Sequence, residues 1–326
     1  MLFSHQPLGA LKKRGLLFVL GAISLFGCQK YCDEFEPNLT YFPNPVIIQS
    51  RPSAFPELTN EECRRDWGKE VRIAYAFAEE QDYYRAITGF KRALVLMPNK
   101  EIARRNQINY AIVQSYYLAN KCQETIEAYE SCNLENIQKE FPAIQELLII
   151  LYDSYKKIGE DAKACNILSI VQQEFPELAV QLQLSTAFID SDFSEIREIA
   201  AFSPHESDVH SLLDEYSMVV KSPERARLYQ TVLPGAGYYY VGLKNAALSS
   251  FLLNTLFVWA AYNFFKDGNI AAGILTTSLE TGWYFGGING AGIAAREYNE
   301  RVYEVNGREF MRNHCLFPIL MLQTSF

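Results

Sequence analysis

The pattern of apolar and polar positions changes character three times along the 326 residues. A greasy run of twelve, Gly15 to Phe26, follows Lys12, Lys13 and Arg14; a helix needs about 20 apolar residues to cross hydrocarbon. From Gln29 to Thr59, Pro37, Pro43, Pro45, Pro52 and Pro56 break any period, which predicts extended chain. Between Thr59 and Lys221 apolar residues recur at steps of three and four, the mark of amphipathic helices. The last third differs again. Asn245 to Phe265 is 21 uncharged residues between Lys244 and Lys266, and Ile270 to Ala295 carries one charge, Glu280. Two such runs about the four-residue turn Lys266 to Asn269 predict a hairpin of long apolar helices.

The middle region repeats. "AFAEEQDYYRAITGFKRALVLMP" holds Ala86, Phe90 and Ala93 with Pro98 closing, and "LYDSYKKIGEDAKACNILSIVQQEFP" holds Ala164, Leu168 and Val171 with Pro176 closing. Thr125, Tyr129 and Cys132 fill the same slots midway, so that Ala86, Thr125 and Ala164 are each 39 residues apart. Small residues at such slots let two antiparallel helices cross closely, while larger ones fill the groove beside them. The pattern resembles the tetratricopeptide repeat. Ile73, Ala74, Phe77, Ala86, Phe90, Ala93 and Pro98 fit the first copy; Ile112, Val113, Tyr116, Thr125, Tyr129 and Cys132 a degenerate second; Leu151, Tyr152, Tyr155, Ala164, Leu168, Val171 and Pro176 the third. The tryptophan and the first-helix glycine of the family pattern are missing, and the spacing exceeds its 34 residues. The resemblance implies stacked helix pairs whose concave face holds peptides or partner helices; a generic array of helical hairpins is the alternative. "ELAVQLQLSTAFI", "FSEIREIAAF" and "HSLLDEYSMVV" extend or cap the stack to about Lys221.

Charge and cysteines place the chain. Its net charge is −8, and the first 27 residues hold three basic and no acidic side chains, leaving 27 basic against 38 acidic, or −11, in the rest. Such a body repels phosphate backbones, so no nucleic-acid partner is expected. The basic start and short apolar run predict an export signal over residues 1–27. "LFGC" ending at Cys28 resembles the bacterial lipobox, which implies cleavage there and lipidation of Cys28; an ordinary signal or uncleaved anchor is the alternative. The six cysteines after Cys28 permit disulfides in an exported chain, with Cys132 and Cys165 read as buried apolar residues on helix faces.

"LPGAGYYYVG", Leu233 to Gly242, leads into the hairpin. Ser222 and Pro223 read as cap and first residue of a short helix, Glu224 to Leu233. Pro234, Gly235, Gly237 and Gly242 stop it and let the backbone reverse, and Tyr238, Tyr239 and Tyr240 are expected in the lipid headgroup layer. Pro234, Gly235, Gly237, Tyr240 and Gly242 resemble the P-G-x-G-Q-x-Y-x-G motif that opens small bacterial membrane hairpins, with Tyr238 in place of its glutamine. That resemblance bears on topology. In the second helix Glu280 lies about 15 Å from the start, near a bilayer's centre. Folding the hairpin about its turn sets Asn254 and Thr255 level with it, which predicts a hydrogen bond from Glu280 to one of them. Gly282, Gly286, Gly290 and Ala294 form a small-residue stripe about 100° around the helix from Glu280. Either it contacts another copy of the chain, making a homo-oligomer, or it packs the hairpin.

Catalytic chemistry finds no foothold. There is no G-x-S-x-G and no phosphate-loop lysine. His205 and His210 in "HESDVH" are five apart, about 140° around a helix, which is poor spacing for a shared metal. No catalytic residue, metal or cofactor is expected. The reading is all-α, a tetratricopeptide-like superhelix followed by a transmembrane helical hairpin. Its parts are a signal (1–27), a tether (28–58), repeats (59–221), a juxtamembrane helix and turn (222–243), the hairpin (244–296) and a tail (297–326). The expected function is a non-enzymatic bacterial envelope scaffold that binds partner proteins while held at membrane lipid. The alternative is an accessory subunit of a transport or insertion complex whose hairpin is the active part. Arg225, Arg227, Lys244, Arg296 and Arg301 outside the hairpin, against Lys266 in its turn, place the repeats in the cytoplasm by the positive-inside rule. The export signal commits the chain first and places them in the periplasm, with inner or outer membrane left open.

Overall fold

Repeated turns set the register of the helices. The computed structural model describes residues 35–41, 51–132, 134 and 141–326; the expected signal and Cys28 lie outside them. The chain divides into two units, Met1–Glu36 and Pro37–Phe326, and all that follows concerns the second. Its described residues are all-α, with one isolated parallel bridge between Ser53 and Ser325.

A capping box at Thr59 and Glu62 starts the helices. They run α1 (Asn60–Arg64), α2 (Asp66–Glu79), α3 (Tyr83–Leu96), α4 (Ile102–Leu118), α5 (Cys122–Ser131), α6 (Ile144–Lys157) and α7 (Asp161–Glu174). Then come α8 (Pro176–Asp190), α9 (Phe193–Ala200) and α10 (Glu206–Val219), each packing on its neighbour in sequence. Between α2 and α3, α4 and α5, and α6 and α7 the residues Gln81, Asn120 and Gly159 take φ of 65°, 56° and 79°. They share the 39-residue spacing. The amide after each reaches back five residues, Asp82 to the Phe77 carbonyl, Lys121 to Tyr116 and Glu160 to Tyr155, a Schellman closure. Ser191 (φ 58°) and Asp192, whose amide bonds the Ala187 carbonyl, repeat it between α8 and α9. The fourth pair follows after only 32 residues.

The small-residue slots of the sequence pattern lie in the helix packing. Ala86, Thr125 and Ala164 are fully buried, and Ile196 takes the slot in the fourth pair. Ala74 and Gly89 mark the closest crossing of α2 and α3, where a Cβ on Gly89 would come within 2.9 Å of the Ala74 Cβ. Phe90, Ala93, Tyr152, Tyr155 and Val171 are buried; Phe77, Tyr116, Tyr129 and Leu168 are half-buried; Pro98 and Pro176 are exposed at helix boundaries. Cys165 is exposed rather than buried, and the described cysteines are all free thiols. The left-handed region costs a non-glycine residue about 1 kcal/mol. Gln81→Gly is therefore expected to raise stability by roughly that amount, read as a higher thermal midpoint.

Three further helices follow: α11 (Pro223–Val232), α12 (Ala236–Val241) and α13 (Lys244–Lys266). Ser222 caps α11 by accepting from Arg225 N, with Pro223 in the first turn, as the sequence predicts. One unbroken helix, α14 (Ile270–Asn313), ties everything together. Its 44 residues span about 66 Å. The first half pairs with α13, the middle packs on α11 and α12, and the rest meets α10 and the end of α8. There Tyr303 donates to the Phe188 carbonyl at 2.8 Å, and the Asn299 amide bonds both the N–H and the C=O of Lys221.

The expected tether and tail are, where described, built into the fold. Leu39 is buried beside Gly307, Tyr41 stacks on Phe317 at 4.7 Å, and Arg308 donates to the carbonyls of Asn38 and Thr40. After α14 the chain turns back through α15 (Pro318–Met321), which packs on α6. Arg51 donates to the carbonyls of Ile319 and Leu320, and Ser325 N donates to the Pro52 carbonyl. Extended backbone has no helical bonds of its own, so arginines and a neighbouring strand-like segment supply them.

Arg104 fixes the segment leading into α1. It donates to the carbonyls of Pro56 and Glu57 and to both carboxylate oxygens of Glu62. This bonding, with the capping-box amide, holds the Glu62 carboxyl down at about 2. A folded value below the unfolded one contributes stability above pH 4.5, and that contribution drains away as the pH falls toward 2. Arg104→Ala is expected to flatten that limb of the stability–pH profile, followed by thermal unfolding between pH 2 and 6.

Candidate functional site

At the base of the hairpin a short sequence makes two reversals. Gly235 and Gly242, with φ of 94° and 95°, bracket α12. A Cβ on Gly235 would also collide with the Ala247 carbonyl, and one on Gly237 with the Ala226 carbonyl. Both positions require glycine. Pro234 sits between Leu233 and this turn, half-buried. Of the three tyrosines expected among headgroups, only Tyr239 faces outward. Tyr238 turns its hydroxyl onto Gly290, and Tyr240 accepts from Ser222 N at 3.1 Å beneath Lys221. Their rings pack with Ala226, Val241, Ala291 and Ala295, because a short helix between two close-packed helices has only one outward face.

A buried glutamine that the sequence reading passed over holds this base. Gln230 accepts from Gly235 N and donates to Ser250 Oγ, both at 2.9 Å. It thereby joins α11, the glycine turn and α13. The readable trace of this site was Ser250 and Asn254, polar residues one turn apart in an uncharged run.

The two arms reverse the usual distribution of side chains. On α13 the buried residues are Ala247, Ser250, Asn254 and Ala261, small or polar. The exposed ones include Leu248, Leu252, Leu256, Trp259 and Tyr262, each more than half exposed. On the first half of α14 Gly273 is buried against Phe265, while Ile274, Leu275, Leu279, Trp283 and Phe285 face outward. Water-soluble helices bury the large apolar residues instead. By length and apolarity α13 is able to cross a membrane. Among the described residues no other helix is, which corrects the expectation of two spanning arms: Glu280, the glycines and the hydroxyl residues of the second run lower its apolarity.

Two details of the arms also differ from the sequence reading. The bond between Glu280 and Asn254 or Thr255 does not form. Asn254 donates to the Ser250 carbonyl at 2.6 Å and Thr255 to that of Phe251 at 2.8 Å. A carbonyl four residues back is always within reach on a helix, and both side chains take it. Glu280 Oε2 and Asn254 Oδ1 are buried without a hydrogen-bond partner among the described residues. The small-residue stripe divides. Gly290 and Ala294 pack inside, Gly290 under Tyr238, whereas a Cβ on Gly282 or Gly286 would meet nothing within 4 Å. Hairpin packing therefore does not use the stripe's first half.

On the repeats, the face made by the first helix of each pair is covered by the chain's own C-terminus. Met321 and Leu322 join the repeat core. Phe326 packs on Tyr75 of α2, and Met321 and Gln323 line a cavity of about 360 Å³ with Ile149 of α6 and Leu178 of α8. A second cavity, of about 500 Å³, opens between Leu39, Tyr41, Tyr83 and Phe317. Asp153 forms its polar side, buried and accepting from Tyr117 at 2.8 Å and Lys157 at 2.6 Å. Burial next to that carboxylate drives the Tyr117 hydroxyl well above its usual range, so it remains a donor.

Comparisons with protein-family models, with curated proteins and with solved structures find no match to the chain.

Proposed function

We propose that this chain is a non-enzymatic scaffold of the bacterial cell envelope, seated in lipid by the α13–α14 hairpin and binding partner proteins through tetratricopeptide-like repeats. The observation that carries the reading is the reversed arrangement of the hairpin, with small and polar residues between the arms and large apolar ones outside. Exposed apolar surface of that extent is costly in water and favourable in hydrocarbon. In this reading α13 crosses the bilayer and the first half of α14 lies along it, sheltering Glu280 and Asn254. The signal and the lipidation of Cys28 belong to the same proposal and put the repeats in the periplasm.

The repeats support a binding role because four stacked pairs provide a rigid surface of modest thickness and large area. Exposed apolar residues such as Tyr84 and Val95 on α3 offer contacts away from the face that the C-terminus covers. The test is site-specific photocrosslinking in the native envelope with the full chain. Probes at Tyr84 and Val95 are expected to give discrete protein adducts, and probes at Trp259 and Leu279 to give lipid adducts. Protein adducts only at the hairpin positions would overturn the scaffold reading in favour of a transport or insertion subunit.

A further inference from the structure

We propose that His205, Asp208 and His314 form a binding site for one divalent transition-metal ion of the zinc class, which clips the start of α10 to the end of α14. His205 and Asp208 are one turn apart at the start of α10, and His314 follows the last residue of α14. The donor atoms of the three side chains all lie within 4.8 Å of one another. The pair weighed in the sequence, His205 with His210, is separated by the fold: His210 turns to Glu206 at 3.9 Å, and His205 meets His314 with ring centroids 4.5 Å apart.

The hydrogen-bond chemistry of His314 points to a cation. Its Nδ1 is 3.0 Å from the Phe310 carbonyl. A carbonyl only accepts, so Nδ1 carries the hydrogen. That bond is the one metal-bound histidines make with the nitrogen that does not bind, and it fixes ring and tautomer for ligation through the other. The ring is also stacked on Phe310, at 4.2 Å. Nε2 then faces Asp208 Oδ2 at 3.2 Å, and an ionised carboxylate only accepts as well. Something positive must lie between them. A proton on Nε2 would satisfy that pair and leave His205 beside a charged ring. A metal ion satisfies all three side chains together.

Two imidazoles and a carboxylate bind zinc and its neighbours at 2.0–2.2 Å, which for tetrahedral geometry sets donors about 3.3 Å apart. The His314–Asp208 separation already suits this, and a ring nitrogen of His205 lies within 4.8 Å of both. Calcium and magnesium prefer all-oxygen shells. Asp208 is exposed and both histidines partly so, leaving room for water to complete the shell.

The experiment uses the full chain in detergent, stripped with chelator and titrated with zinc chloride alone, with bound metal and thermal midpoint both measured. One zinc per chain and a raised midpoint are expected. Asp208→Ala and His314→Ala should each weaken binding at least tenfold, while His210→Ala leaves it unchanged. Should His314→Ala misfold, the exposed Asp208→Ala carries the test. Cobalt in place of zinc should give visible d–d bands without a thiolate charge-transfer band, which separates this site from the adjacent Cys315. Absence of stoichiometric binding, equal affinity in Asp208→Ala, or binding lost only in Cys315→Ser would overturn the proposal.

Discussion

Leu252→Arg combined with Leu256→Arg, in a chain made without residues 1–28, is expected to abolish co-flotation with liposomes. Both residues lie near the middle of α13 on its outward face, each 55% exposed. An arginine at the centre of a spanning helix costs about 2.5–3.5 kcal/mol on insertion scales, so the pair opposes insertion by roughly 5–7 kcal/mol. If the face instead met water, the same changes would improve solubility and leave the fold intact. The two outcomes differ in sign. Ser250→Ala provides the internal control: it removes the Gln230 partner on the inward face and is expected to loosen the hairpin base without releasing the chain from lipid.

Truncation before Leu316 should cost at least as much, and in a different place. Leu316, Phe317, Leu320, Met321 and Leu322 are all buried. Burying each such side chain is worth about 1.5–3 kcal/mol, and whole domains have a stability of only about 5–15 kcal/mol. The shortened chain is expected to show a sharply lower thermal midpoint and rapid proteolysis within α2, α4 and α6, while still floating with liposomes. An unchanged midpoint would mean that the C-terminal segment is a loose passenger. Phe326→Ala alone removes one partly buried ring, with its contacts to Tyr75 and Tyr83, and its effect should be a small fraction of the truncation's.

The repeat register was readable because its causes are local. A left-handed turn residue, the amide after it that closes the turn and a small residue five positions beyond the turn residue recur together at Gln81, Asn120 and Gly159. The fourth pair escaped the 39-residue period because its first helix begins directly after α7 at Pro176, and because Ile196 fills a slot that the pattern reserves for small side chains. The start of α11 was legible for the same local reason, a serine cap and a proline. What could not be read depends on contacts with no period. Arg51 meets Ile319 and Leu320 across more than 260 residues, and neither composition nor spacing announces it. Around the hairpin, charge-free runs revealed the arms, but not the choice of Asn254 and Thr255 for their own helix. Gln230 was missed because a single glutamine on a polar surface helix carries no pattern. The histidine cluster was missed because one of its members comes from the far end of α14.

The length of α14 has a mechanical consequence. Between Ile270 and Asn313 it contains no proline, and its backbone stays helical throughout. A tilt of about 10° at the level of Trp283 and Phe285 would sweep the His314 end through roughly 8 Å, given the ~45 Å of helix between them. Such a strut turns small leans at one end into large excursions at the other.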